Sequence, residues 1–444
     1  MDTHILHLKA PGNWMNDPNG FIYFKGEYHL FFQYFPYAPV WGTMHWGHAV
    51  SKDLIHWKHL GIALFPTLYE EQNGCFSGSA LECDGKLYLY YTGVRYKKPD
   101  QNNIHVCTND EYIATQFMIT SEDGVHFDNF SDKKMIIPMI EDEEIGDLKD
   151  TRDPKVWREG NYIYMALGST YRKETGRLLI YKSSDGKTWE YASQLRSEKF
   201  GKILECPDIF KINGTYIFIG SPMHIVAENA GMYEHHAVCM PIEFDTETCA
   251  IALPEWERCQ YVDYGMDLYA PQTNIDAEGR RVMVAWIRMP KVVKEAGQTD
   301  WIGMMSLPRV IEQIDNHIYF RVHPSVEKYF NREVSAKDGK MPDCPCRIKT
   351  ELKEDENLDV GGYKIWVEDG TVKTDRRKVF ATIEGHHLTS ETPKVGNFRL
   401  DIFVDKNLIE IFINEGEYVI SNVVYGLGNR IIGPVENIFC GEIS

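Results

Sequence analysis

Three acidic residues stand just before a proline: Asp17 in NDPNGFIYFKG, Asp153 in RDPKVWREG and Glu205, followed by Cys206 and then proline, in ECPDIFKING. The glycines that end these segments, Gly26, Gly160 and Gly214, lie 9, 7 and 9 residues beyond the acids. A single Asp-Pro is usually a turn, because both residues favour turn geometry. Three acids at matched places of a repeat instead converge on one spot. Carboxylates crowded into a concave site repel one another, which raises at least one pKa and separates an acid from a base. Glycoside hydrolysis uses such an arrangement: one carboxylate attacks and another protonates the leaving oxygen. A calcium site is the rival reading, since that hard cation also takes carboxylate oxygens.

The chain that positions these acids has 444 residues, enough for about two or three domains. A glycine followed by a short aromatic-rich strand recurs in GEYHLFFQY from Gly26, GKLYLYYTG from Gly85, GNYIYMALG from Gly160, GTYIFIGSP from Gly214 and GRRVMVAWI from Gly279. A second repeat interleaves with it: in SKDLIHW, SEDGVHF and SSDGKTW, Asp53, Asp123 and Asp185 precede Trp57, Phe127 and Trp189 by four residues. These read as hairpins between outer strands, with the ring packed beneath the turn. Two interleaved strand repeats and almost no helical periodicity predict an all-β chain, with a five-bladed β-propeller over residues 1–320. One irregular β-sandwich is the alternative. In a propeller the strand before each repeated glycine lines the central funnel, and this gathers Asp17, Asp153 and Glu205. The second and fifth copies, CFSGSAL and YAPQTN, bring no acid.

HPSVEKYF suggests a short helical connector within 321–330. After it, FRLDIFVD and LIEIFINEGEYVI alternate strongly around a turn at Asn414 to Gly416 and read as a hairpin with one buried face. Residues 331–444 are therefore expected to form a small β-sandwich, although 331–395 shows no clear pattern.

With 47 Lys+Arg against 65 Asp+Glu the net charge is −18, the wrong sign for nucleic acid or an anionic membrane surface. No apolar run approaches the ~18 residues that cross a bilayer. MDTHILHLKAPG has no basic region followed by an apolar one, so a cytoplasmic location is expected. The 10 cysteines are scattered without a C-x-x-C pair, and reduced thiols are expected rather than zinc or a redox dithiol.

The motifs also form a set. WMNDPNGF (14–21), WGHAVSKDLIHW (46–57), FSGSA (76–80), TRDP (151–154), ECPD (205–208), DYGMDLYAPQ (263–272) and WIGMMSLPR (301–309) together resemble glycoside hydrolase family 32, the invertases and fructan hydrolases. WMNDPNG is the specific element; RDP and EC alone carry little. The resemblance runs from residue 4 to about 323, and LDIFVDKNLIEIFINEG resembles the family's C-terminal sandwich. It implies a five-bladed propeller plus sandwich, retaining cleavage of β-fructofuranosides, and neither metal nor organic cofactor.

On matching positions the resemblance makes Asp17 the nucleophile toward the anomeric carbon. Glu205 becomes the acid for the leaving oxygen and then the base for water. Asp153, with Arg152, would bind fructose hydroxyls and stabilise the oxocarbenium-like transition state. The scheme requires the nucleophile and acid carboxyls to lie roughly 5–5.5 Å apart. Asn16, Gln33, Trp41, Phe76, Ser77, Tyr269 and Trp286 would form the pocket wall, with Trp41, Phe76 and Trp286 having a plain alternative as packing aromatics. Arg152 beside Asp153 is expected to keep that acid ionised while Glu205 stays protonated. Two positions depart from the family: Gln33-Tyr34 is followed by Phe35-Pro36 rather than Asn-Pro, and Thr151 stands where Phe is common.

The first functional reading is hydrolysis of a small fructoside, sucrose or sucrose 6-phosphate. A phosphorylated substrate would want a cationic rim, for which Arg288, Lys291 and Lys294 are candidates; a solvated basic loop is the alternative. The second is an exo-fructanase or fructosyltransferase acting on inulin- or levan-type oligosaccharides. The third is a sugar-binding propeller without catalysis, against which the intact trio speaks. No nucleic-acid or membrane partner is expected, and oligomerisation is left open.

Overall fold

The computed structural model describes residues 6–224, 235–335, 339–380 and 386–441; residues 1–5, part of the segment read for a leader, lie outside them. Over the described residues the chain is all-β, with one α-helix, Pro324–Tyr329, where HPSVEKYF predicts it.

Up to residue 322 the strands form five antiparallel sheets, each with neighbours mostly in chain order. Their first strands are Asn13–Phe24, Cys75–Cys83, Arg152–Glu159, Ile203–Ile212 and Leu268–Ile275. Each first strand contacts the next, and the last contacts the first, so the five close a ring. Closure is reinforced where Asn13 and Trp14 pair in parallel with Trp301 and Ile302.

Every repeated glycine sits between the first and second strand of its sheet at positive φ, from +57° at Gly160 to +91° at Gly26. Lys25, Asp84 and Asn213 before three of them are also at positive φ, the pairing a two-residue hairpin turn of matching twist demands. The second repeat links third to fourth strands. Asp53 Oδ1 accepts the N–H of Ile55 and His56 at 3.0 and 2.8 Å. Asp123 and Asp185 repeat this with residues 125–126 and 187–188. Asp245 makes the same turn in the fourth sheet, a copy missed in the sequence because FDTETC has no ring four residues on.

Apolar side chains fill the gaps between successive sheets. In the third sheet, Ile163, Met165 and Leu167 pack toward the second sheet, whereas Tyr164 and Ala166 pack toward the fourth. Burial on both faces is why Ile163–Leu167 reads as an uninterrupted apolar run, with each large side chain contributing about 1.5–3 kcal/mol of transfer free energy.

The stretch 331–395, unpatterned in sequence, supplies strands to two C-terminal sheets of six and five strands. Ile348, Ile402 and Ile411 of one meet Leu358, Ile365 and Val372 of the other in a shared core. The expected hairpin is instead three strands, Arg399–Val404, Leu408–Ile413 and Tyr418–Val423. Its middle strand is buried on both faces, not one. Ile409, Ile411 and Ile413 face the C-terminal core, while Leu408 and Phe412 join the cluster containing Val282 and Met305 of the fifth sheet.

Candidate active site

Each first strand carries a bulge at the same place, and the bulges hold the site. Met15 pairs with Tyr34 and Pro18 with Phe32, so Asn16 and Asp17 together oppose Gln33. Phe76 and Ser77 oppose Thr92; Asp153 and Pro154 oppose Leu167; Cys206 and Pro207 oppose Gly220; Ala270 and Pro271 oppose Ala285. An extra residue bends the strand and re-aims a side chain. Proline is tolerated there because the bulge needs no ladder N–H from it. Asp153, Cys206 and Ala270 adopt φ of +66°, +45° and +49°, a strained region for residues with a Cβ that tends to mark functional sites.

The bulges bring the three acids together. The Cys206 Sγ lies 3.5 Å from Asp17 Oδ2 and 3.6 Å from Asp153 Oδ2. Asp17 accepts from Ser77 Oγ at 2.6 Å and Asn16 Nδ2 at 3.2 Å, and Trp14 Nε1 holds Asn16 at 2.8 Å. Asp153 Oδ2 accepts the Cys206 N–H at 2.9 Å. Glu205 takes Arg152 Nη2 on Oε1 at 2.8 Å and the Tyr269 hydroxyl on Oε2 at 2.7 Å. Gln33 Nε2 donates to Cys75 O at 3.0 Å. Guanidinium, amide and hydroxyl donors thus already face these carboxylates, a shell of the wrong sign for calcium.

A cavity of about 200 Å³ is lined by all the expected residues except Tyr269 and Trp286, joined by Asp110 and Tyr112. Trp41 and Phe76 meet edge to face across 5.8 Å on its wall. Tyr269 touches the site through Glu205. Trp286, expected in the wall, is absent from the lining; its ring lies 6.1 Å from that of Trp14.

Electrostatics correct one expectation. Burial raises the Asp17 pKa, with the Glu205 charge adding to it and the Ser77 and Asn16 hydrogen bonds opposing. Burial also pushes Asp153 up to about 7, against the pull of Arg152 and helped by the charges of Glu205 and Asp17. Arg152 therefore does not keep Asp153 in the ordinary carboxylate range. Its two arms go to Glu205 and to Asp150 Oδ1, the latter at 2.6 Å, leaving Asp153 a neutral N–H donor. Asp150 is held down at about 2: burial would raise it, but Arg152 and Lys173 win.

Comparison with known proteins bears on what such a site belongs to. Residues 7–324 match the family model described as the N-terminal domain of glycosyl hydrolases family 32, and residues 347–434 match that of the family's C-terminal part. This chain belongs to glycosyl hydrolase family 32. It is 32% identical to a sucrose-6-phosphate hydrolase of Zymomonas mobilis subsp. mobilis, over 98% of this chain and 87% of that protein. A raffinose invertase of Escherichia coli is 30% identical over 95% and 89%. Among solved structures, the GH32 β-fructofuranosidase BmSUC1 of Bombyx mori superposes with a TM-score of 0.80 at 29% identity, covering 98% of this chain and 92% of that one.

Within this family 32 glycoside hydrolase, several site residues escaped the sequence reading. Asp150 steadies Arg152, and Tyr112 and Asp110 complete the cavity wall. Asp150 stands only two residues before Arg152, so the acid beside TRDP was the available signal. Tyr112 and Asp110 left none, because they lie at and just before the start of the third strand of the second sheet, outside the first-strand motifs that carry the repeat. Of the suggested basic rim, Arg288 is held within the fold while Lys291 and Lys294 are exposed. Arg288 donates to Met266 O at 2.6 Å and lies over the Tyr269 ring, Lys291 sits over Tyr425, and Lys294 pairs with Asp300 at 3.6 Å. At the departures from the family pattern, Phe35 packs against Tyr37 and His105, and the Thr151 hydroxyl bonds that of Ser169 at 2.9 Å.

Proposed function

We propose that this chain is a retaining β-fructofuranosidase that hydrolyses sucrose or sucrose 6-phosphate. The five sheets are read as the blades of a β-propeller over residues 1–320, with a connector at 321–330 and a β-sandwich over 331–444. The observation that carries the function is the cluster itself: Asp17 and Asp153 share Cys206 while Glu205 lies between Arg152 and Tyr269. Asp17 attacks the anomeric carbon as the glycosidic bond breaks, and the Glu205 proton goes to the leaving oxygen. Water then gives a proton to Glu205 while its oxygen displaces Asp17 from the fructosyl unit. Asp153 and Arg152 bind fructosyl hydroxyls. Two kinds of relative support the substrate: proteins described as sucrose-6-phosphate hydrolases, and a BmSUC1 variant, 28% identical to this chain at a TM-score of 0.78, solved in complex with sucrose. Ten free cysteines suit a reducing compartment, and we assign the enzyme to the cytoplasm.

The test is fructose release from sucrose and from sucrose 6-phosphate, measured side by side as kcat/KM, for the natural chain and for Asp17→Asn and Glu205→Gln. The natural chain should turn over at least one of the two sugars with the β-anomer of fructose formed first, and both variants should lose at least about a hundredfold while folded. A first-formed inverted anomer, or a folded variant near the natural rate, refutes the roles assigned.

A further inference from the structure

The segment Asp263–Asp267, which leads into the strand carrying Tyr269, is stitched to the C-terminal strand Tyr418–Val423 along its whole length. Tyr264 N–H donates to Val419 O at 2.7 Å, Ser421 N–H to Asp263 Oδ1 at 2.9 Å, and Val423 N–H to Asp267 Oδ2 at 2.8 Å. The Asn422 amide donates to Gly265 O at 2.8 Å. Gly265 is pressed so close that a Cβ there would fall 2.0 Å from Ser421 O. The end of the segment is gripped hardest. Arg376, fully buried and contributed by the C-terminal sheets, places both guanidinium arms on the Asp267 carboxylate; its Nε also donates to His387 O at 2.8 Å and its Nη1 to Val423 O at 3.0 Å. Two residues later comes Tyr269, with Arg288 lying over its ring at 5.1 Å.

The Tyr269 hydroxyl has two partners, Glu205 Oε2 at 2.7 Å and Ser221 O at 3.1 Å. This pair suits a group that must cycle between acid and base. Toward an ionised Glu205 the hydroxyl donates its proton. Toward a protonated Glu205 it turns that proton to the Ser221 carbonyl and accepts from the carboxylic acid. The hydroxyl does this only if its oxygen stays where it is, and a shift on the order of 1 Å can cost a hundredfold in a positioned reaction.

We infer that the C-terminal sheets take part in catalysis as a positioning element, with Arg376 holding Asp267 so that Tyr269 fixes the carboxyl of Glu205. This rests on the reading of Glu205 as acid/base, and the experiment separates the two. Arg376→Gln, Arg376→Lys, Tyr269→Phe, Tyr269→Phe with Arg376→Gln, and Glu205→Gln are assayed on sucrose and on a nitrophenyl β-fructofuranoside, whose phenolate leaves without a proton. Loss of proton donation lowers kcat/KM on sucrose and spares kcat/KM on the aryl glycoside, because that ratio reports only formation of the fructosyl intermediate and not its hydrolysis, where Glu205 acts as base on both substrates. Glu205→Gln should show that pattern most strongly; if it lowers kcat/KM equally on both substrates, the acid/base reading itself fails.

For the positioning role, folded Arg376→Gln should lose about tenfold in kcat on sucrose with KM within about twofold, and less than about twofold in kcat/KM on the aryl substrate. Arg376→Lys keeps the charge but not the two-pronged grip and should fall the same way; it decides the matter if Arg376→Gln does not fold. The double variant should be no slower than Tyr269→Phe alone, since both changes act through one hydroxyl. Equal losses in kcat/KM on the two substrates, an unchanged kcat on sucrose, or additive losses in the double variant would each overturn the inference.

Discussion

Ser77→Ala tests the electrostatics of the proposed nucleophile most directly. The Ser77 hydroxyl makes the shortest hydrogen bond to Asp17, 2.6 Å to Oδ2, against 3.2 Å from Asn16 and 3.5 Å from the Cys206 sulfur. Burial already raises the Asp17 pKa, and Ser77 is the strongest influence against it. A hydrogen bond to a charged group contributes about 1.5–3 kcal/mol, and one pKa unit is about 1.4 kcal/mol. Removing the hydroxyl should therefore raise Asp17 by about one to two further units. Asp17 must be ionised to attack, so the acid limb of kcat/KM moves to higher pH by that amount while the alkaline limb stays. Asp17 and Asp153 titrate in each other's field, and the apparent limb position is the quantity to compare between natural and Ser77→Ala enzyme on one substrate. A limb that moves by less than about 0.3 unit, well under the smallest shift the hydrogen bond allows, or that moves toward lower pH, would refute this account of how the nucleophile is kept ionised.

The buried junction between the fifth sheet and the C-terminal sheets predicts a pH-dependent stability. His7 lies 2.9 Å from both Asp405 and Glu410; burial opposes its charge, but those two acids raise its pKa from 6.5 to about 9. Its stabilisation, on the order of 3 kcal/mol from that shift, is complete below pH 6.5 and lost as pH rises through about 9. Denaturant unfolding over that range should show the decline in the natural chain and not in His7→Gln; parallel curves would sink the assignment. Behind the site, Lys133 and Glu71 form a buried pair at 2.5 Å. Lys133→Met should cost about 3–5 kcal/mol because it strands the Glu71 charge, and an unfolding free energy lowered by less than about 1 kcal/mol would contradict that burial.

The repeat, its turns and the acids before the prolines were legible in the sequence because each depends on a few adjacent residues. A glycine at positive φ, an Asp accepting two backbone N–H groups, and a proline at a bulge are local requirements that leave local marks. Where the mark was incomplete, as at Asp245, the reading missed a real copy. Reading Asp17, Asp153 and Glu205 as neighbours needed only the premise that equivalent strands converge. The partners of those acids were a different matter. Arg152 was assigned to its neighbour Asp153 on proximity in the chain, yet its arms reach Asp150 and Glu205, the latter 53 residues away. The Tyr269 contact with Glu205 spans 64 residues and the Arg376 contact with Asp267 spans 109. The strand Leu408–Ile413 looked half-exposed because Glu410 reads as a solvent-facing residue. In the fold it is buried against Arg309 and His7, with its pKa held down at about 2. By itself, then, the sequence determined the strand repeat and the acids before the prolines, which rest on local turn and bulge chemistry, and the family, which rests on the resemblance of its motifs. Only the tertiary structure decided which charge each acid faces and what holds it in place, because burial and the pairing of distant side chains set those energies and neither leaves a periodic trace along the chain.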